Sequence, residues 1–227
     1  MSKPMISLLH ATAQPGTCEE TARRWFERAY HSHAFPIEHV MACEYVSFPK
    51  CPHSPFITNQ VLIVSGGSPV SGWNSAAEFS KGKILVMMAD DLYPSEHWDR
   101  EIMDAIPDPE AAAVLWVTTL DDHGKDLWPD IITHPVVTRA YLNRYGYFLH
   151  PAYYARFSDL EFSDKAKQDG VVIDRRGKII WRHEDHQVPG NWHPTTSRIN
   201  ALHGMDNQTY IKRQAAGFPK EWAVWRP

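Results

Sequence analysis

No stretch of the chain approaches the ~20 consecutive apolar residues of a membrane-spanning helix, and no secretory leader is evident. MSKPMISLL passes straight into a strand-like run, without a long apolar core or a cleavage site. Cysteine is scarce. Cys18, Cys43 and Cys51 are odd in number and match no zinc spacing, which excludes a disulfide framework or a zinc finger and favours thiols in a reducing compartment. The expectation is a cytoplasmic protein. Basic runs are also missing, and the formal net charge is −4, so the chain lacks the electrostatic footprint of a general nucleic-acid binder. Neither G-x-G-x-x-G nor a P-loop occurs, which removes the two commonest phosphate-binding signatures. No internal repeat and no low-complexity linker breaks the sequence.

What is present suits one α/β domain. Hydrophobic residues make up 43% and charged residues 22% of 227, a balance that excludes disorder. Thirteen histidines are enough to raise the prospect of a metal or proton-transfer site. Nine Trp and nine Tyr fill a core or line a sugar or base pocket.

The apolar pattern predicts strands at Met5–Leu9, Glu38–Val46 and Gln60–Val64. Lys83–Ala89 (KILVMMA) and Ala111–Leu120 are too apolar to alternate and read as strands buried on both faces. Helical spacing of Ala22, Trp25, Phe26 and Ala29 predicts a helix between the first two strands, and further helices follow at Asn74–Ser80, after Pro94, and at Asp159–Gln168. Short strands are expected at Gly170–Ile173 and Ile179–Trp181, and a helix near Thr209–Ala216. The alternation predicts a Rossmann-like, mainly parallel central sheet flanked by helices in a single domain. Residues 1–120 would form a nucleotide-binding half, and 121–227 an acceptor half.

Four constellations carry chemistry. Asp90-Asp91 ends the clearest buried strand, where open α/β sheets place their ligands. Adjacent carboxylates repel unless a cation or proton lies between them, so the pair is either a capped loop or an anchor for Mg²⁺ or Mn²⁺. Ser65–Asn74 is a glycine-rich turn that can approach a ligand closely. Arg156–Asp164 places acids at the start of a helix, as caps or as a general base. His183-Glu184-Asp185-His186, with His193, follows a short strand and matches no zinc motif, yet can complete a divalent-metal site begun elsewhere.

The order of these pieces resembles the GT-A-fold glycosyltransferases, and is similar to the inverting family 2 enzymes of short bacterial and phage type. The likeness rests on ISLLHAT, on Glu44 closing the second strand, and on GWNSAAEFSKGKILVMMADD. It continues through GYFLHPAYY, SDLEFSDKAKQDG and IIWRHEDH, and covers Met5 to about Tyr210. The resemblance implies a nucleotide-sugar donor, most naturally a UDP-sugar, and a divalent ion, Mn²⁺ or Mg²⁺. His10, Ala11 and Thr12 would border the nucleotide, Glu44 its base or ribose, and Asn74 its diphosphate. Asp91 would ligate the metal with Asp90 close by, and His183 or His186 would complete the site. Asp159 would take the proton of the acceptor hydroxyl. The family commonly has Glu-Asp where this chain has Ser158-Asp159, which leaves Glu161 a rival base. Tyr147, Tyr153 and Tyr154 would face the acceptor.

The acceptor stays open between a surface glycan or lipid-linked sugar and a hydroxylated base in phage DNA. The DNA reading needs a groove built from Arg139, Arg144, Arg156, Arg175, Arg176 and Arg182 among the tyrosines. Two other readings compete: a binding module that kept the fold and lost turnover, and a metal-dependent hydrolase using the His/Asp cluster.

Overall fold

The computed structural model describes residues 5–13, 15–30, 36–43, 57–64, 67–126, 128–184 and 194–221. The strands are β1 (Ile6–Thr12), β2 (Ile37–Cys43), β3 (Ile57–Val64), β4 (Ile84–Met88), β5 (Leu92–Tyr93), β6 (Val114–Trp116), β7 (Thr118–Leu120), β8 (Val136–Thr138), β9 (Val172–Asp174) and β10 (Ile180–His183). The helices are α1 (Pro15–Arg28), α2 (Pro69–Phe79), α3 (Trp98–Ala105), α4 (Arg139–Tyr145), α5 (Ser158–Gln168) and α6 (Pro194–Ala215). None of the described helices is long and apolar enough to cross a membrane.

Seven strands form one sheet in the order β3-β2-β1-β4-β8-β6-β9. All of them run the same way except β8, which is antiparallel to β4 and to β6. Every residue of β2 and β4 is buried, which is why neither alternates in sequence. A second sheet, β5-β10-β7, sits beside the first. Both halves of the chain contribute strands to the large sheet.

Helix α1 fixes the turn that carries the acidic pair. Thr21, Trp25 and Arg28 fall at i, i+4 and i+7, on one face. Thr21 donates its hydroxyl to the carbonyl of Asp90, Trp25 Nε1 donates to the carbonyl of Leu92 at 2.7 Å, and Arg28 Nη1 to that of Pro94 at 2.6 Å. The Trp25 ring packs edge-on against Trp98 and Trp181, with centroids 5.1 and 5.3 Å away, and is fully buried. Losing such a ring costs about 3–5 kcal/mol, so the turn is tied to the strongest part of the core.

Several expectations are revised. The apolar run Ala111–Leu120 is two strands in two sheets, with Val117 between them. Its uniform apolarity hides the change of sheet. Helix α2 begins five residues earlier than expected, at Pro69, because Ser68 caps it through a capping box and proline is preorganised for the first turn. Residues 121–154, which show no clean periodicity, contain β8 and α4. Helix α6 is far longer than Thr209–Ala216. It docks through Asp206, Tyr210 and Arg213, again at i, i+4 and i+7, so its buried face is largely polar and invisible to an apolar pattern.

Candidate functional site

A cavity of about 410 Å³ opens at the carboxyl ends of β1 and β4. One side is formed by Ala11, Thr12 and Ala13, by Ser68-Pro69, and by Asp90-Asp91. Residues 155–160, Arg198, Ile199 and His203 of α6, Trp128 and His183 also line the cavity. This is the edge where a parallel sheet exposes its strand ends.

Asp90 is occupied by its own fold. His10 Nε2 donates to Asp90 Oδ1 at 2.9 Å, and the Thr12 hydroxyl donates to Oδ2 at 2.8 Å. His10 and Thr12 are i and i+2 on β1, so their side chains share a sheet face. Behind them, His39 Nε2 lies 3.2 Å from His10 Nδ1. One hydrogen bond joins the two rings, and its donor is set by their tautomers. Burial, with the adjacent His10, holds the His39 pKa well below its ordinary value. Ala11 and Thr12 line the cavity as expected, whereas His10 is fully buried and does not reach it.

Asp91 points the other way. Its Oδ1 lies 3.3 Å from His183 Nε2, and both side chains are mostly buried in the cavity wall. Strand pairing explains the meeting: His183 of β10 stands opposite Leu92 of β5, and the Glu184 N–H donates to the Asp91 carbonyl at 2.8 Å. His134 adds an edge-on imidazole 4.9 Å from that of His183. Burial and then the charge of His183 push the His134 pKa down to about 3, against the opposing pull of Asp91. A carboxylate beside an imidazole is a fitting partial donor set for Mn²⁺ or Mg²⁺, with diphosphate and water oxygens completing the shell. Among the described residues no three His, Cys, Asp or Glu side chains form a group able to hold a metal. Glu44 and His186, the other residues expected here, lie outside the described residues.

The two candidate bases separate cleanly. Asp159 lines the cavity at the first turn of α5, with Oδ1 accepting from the Leu160 N–H at 2.9 Å. Burial raises its pKa, opposed by that hydrogen bond and by the charge of Arg156. Glu161 is turned into the core at 3% exposure and does not line the cavity. Arg213 holds both of its oxygens, at 2.6 and 2.7 Å, and Tyr153 donates its hydroxyl at 2.7 Å. Three of its roughly four lone-pair sites are taken by these buried partners.

The start of α5 is positioned from α6. The Asp206 carboxylate, fully buried, accepts from the N–H groups of Tyr154, Ala155 and Arg156 at 2.8–2.9 Å. These contacts hold Phe157 at φ 63°, a left-handed conformation that costs a non-glycine residue about 1–3 kcal/mol.

Several expected ligand contacts stand behind the wall instead. Asn74 spends its amide on the backbone of Phe148 and Leu149, at 2.7–2.9 Å, and pins that loop to α2. The Tyr154 hydroxyl donates to the carbonyl of Gly67 at 2.8 Å, and neither Tyr147, Tyr153 nor Tyr154 lines the cavity. Of the six arginines of the notional groove, all of them described, Arg156 alone lines it. Arg139 is bound to the carbonyls of Gly82 and Ala77, and Arg182 and Arg176 to Asp122 and Asp174. Trp73 belongs to the Ser65–Asn74 segment, whereas Trp128, His134, Arg198 and His203, which line the cavity from separate loops and helices, carried no signal in the sequence.

No family model matches the chain, and no curated protein matches it in sequence. Solved structures do match its fold. A crystal structure of S. aureus TarS superposes with a TM-score of 0.61 at 12% identity, over 81% of this chain and 61% of that one. TarS in complex with UDP gives 0.62 at 10% identity, over 80% and 60%. GalNAc-T7, solved with UDP, GalNAc and Mn²⁺, gives 0.59 at 10% identity, over 81% and 44%. The chain therefore spans less than two thirds of the length of each of these neighbours. With its acidic pair at the carboxyl edge of a mainly parallel sheet, the chain has the GT-A glycosyltransferase fold.

Proposed function

We propose that the protein is a metal-dependent glycosyltransferase that moves a sugar from a nucleotide-sugar donor, a UDP-sugar in the first instance, to an acceptor hydroxyl with inversion. The observation that carries this reading is the convergence of Asp91, His183 and Asp159 on one cavity at the strand ends of a GT-A sheet. The neighbours crystallised with UDP support the choice of donor, and the one crystallised with Mn²⁺ supports a divalent ion.

Asp91 and His183 would hold that ion, which when bound supplies positive charge against the leaving diphosphate. Ala11 and Thr12 form the donor side and Asp159 the acceptor side. The acceptor oxygen attacks the anomeric carbon as the bond from that carbon to the diphosphate oxygen breaks. Asp159 receives the hydroxyl proton. A raised pKa suits that task, because a stronger base near neutrality draws the proton more effectively. Attack from the face opposite the leaving group inverts the anomeric centre. The apolar lining from Trp73, Trp128, Leu149 and Phe157 limits the water that would otherwise compete with the acceptor.

The test is a panel of nucleotide sugars with Mn²⁺ or Mg²⁺, read by mass spectrometry and by nucleotide release. The reading expects at least one donor to bind and be slowly hydrolysed, with both lost in Asp91→Asn. It fails if no donor binds, or if Asp91→Asn behaves as the parent.

A further inference from the structure

The cavity lining includes basic side chains that the mechanism above does not use. Arg156 precedes α5, and Arg198 and His203 project from the first turns of α6. The two segments interlock residue against residue. Arg198 lies over the Tyr154 ring at 5.7 Å, Arg156 Nη2 donates weakly to Asn200 Oδ1 at 3.5 Å, and the His203 ring meets the Phe157 ring at 5.2 Å. Three potential cations therefore share one seam that borders Asp159.

Arg156 Nε is buried and has no hydrogen-bond partner among the described residues. No described carboxylate lies within ion-pair distance of Arg156 either. A buried N–H without an acceptor costs about 1–3 kcal/mol, a penalty that a bound anion removes. Guanidinium groups match phosphoryl oxygens in geometry, two donors to two acceptors.

We propose that Arg156, Arg198 and His203 form a subsite for a phosphoryl group carried by the acceptor. The assignment to the acceptor rests on the glycosyltransferase reading and on position. The seam adjoins Asp159, on which the charge of Arg156 acts and which is assigned the attacking hydroxyl, while the donor diphosphate is assigned to Asp91 and His183. The substrate class is a hydroxyl compound with a phosphate monoester or diester close to the hydroxyl that is glycosylated.

The experiment titrates the full chain with inorganic phosphate, followed by ³¹P and protein NMR, first alone and then saturated with UDP and Mn²⁺. The expected result is saturable phosphate binding that persists with UDP bound. Arg156→Gln and Arg198→Gln should each weaken it about tenfold, while changing UDP affinity less than twofold. Arg156→Lys should recover part of the loss. Arg198→Gln and His203→Gln alter exposed side chains, so they keep the test valid if Arg156→Gln fails to fold. Phosphate that is displaced by UDP, with arginine variants that weaken UDP, would assign the seam to the donor diphosphate and overturn the proposal. Absence of saturable binding, or indifference to all the variants, would overturn it too. Asp91→Asn separates the two readings, since it should abolish UDP binding in Mn²⁺ and leave phosphate binding intact. Phosphate binding in a protein that never binds UDP would remove the glycosyltransferase reading and, with it, the assignment to an acceptor.

Discussion

His10 Nε2 stands 2.9 Å from Asp90 Oδ1, and this buried contact divides the labour of the acidic pair. Asp90 is held by His10 and Thr12, and the next residue, Asp91, meets His183 instead.

The two aspartates should therefore respond differently to substitution. Asp91→Asn is isosteric and keeps an oxygen toward His183, so it is expected to change stability by less than about 1 kcal/mol, and to lose Mn²⁺-dependent UDP binding. Asp90→Ala, or His10→Ala, leaves a buried polar partner unmatched and should cost about 1–3 kcal/mol. Urea unfolding and calorimetric UDP titration, run on the same variants, read both effects. Equal destabilisation by Asp90→Ala and Asp91→Asn would contradict the division.

Asp159 and Glu161 give a second contrast. Asp159→Asn should lower the transfer rate by about 10²–10⁴-fold, the range of a general base, with UDP affinity unchanged. Glu161 belongs to a buried ion pair, and Arg213→Met leaves its carboxylate uncompensated at a cost of about 3–5 kcal/mol. The double variant Glu161→Leu with Arg213→Met should regain most of that loss. Single-turnover rates together with denaturation midpoints decide the matter. A Glu161 variant that folds normally yet cannot transfer sugar would reinstate Glu161 as the base.

Removing the carboxylate of Asp206 should act through Asp159. Asp206→Ala strands three backbone N–H groups and should loosen the segment at Phe157, where the left-handed backbone is held in place. The expected loss is about 2–4 kcal/mol, from hydrogen bonds to a charged group of about 1.5–3 kcal/mol each that are partly replaced by water. Amide hydrogen exchange should quicken at residues 154–157 before the rest of α5. Uniform exchange across the protein would mean that Asp206 only contributes to global stability.

Acid should unfold the protein earlier than its carboxylates alone would. His150 is held down to about 4 by burial and then by the charge of Arg213, against the opposing pull of Glu161, and its Nδ1 accepts from the Ala152 N–H at 3.1 Å. His39 is likewise held neutral by burial. Both folded-state values lie below the ordinary 6.5. Between 6.5 and about 4 the unfolded chain binds more protons at these sites, so stability is full above 6.5 and declines as pH falls through that window. Urea midpoints measured at pH 7.5, 6 and 5 should fall in sequence, and His150→Asn should flatten part of the slope. A midpoint constant from 7.5 to 5 would exclude buried neutral histidines.

The sequence by itself determined most strands of the large sheet, though not β8, and the place of the acidic pair. Runs such as KILVMMA are apolar on both faces, and that composition has few stable outcomes other than a strand covered by helices on each side. The place of Asp91 after a buried strand made it a candidate, and the resemblance to GT-A enzymes added Asp159 and His183. What the sequence left open was partnership. Asp90 and Asp91 are adjacent and chemically equal, and only the packing of β1 beside β4 gives one to His10 and Thr12. Asp159 and Glu161 share one helix turn, and only the docking of α6 claims Glu161 for Arg213. Helix α6 itself was nearly illegible, since it is anchored by Asp206, Tyr210 and Arg213, and buried polar side chains carry no hydrophobic signal until their partners are in place.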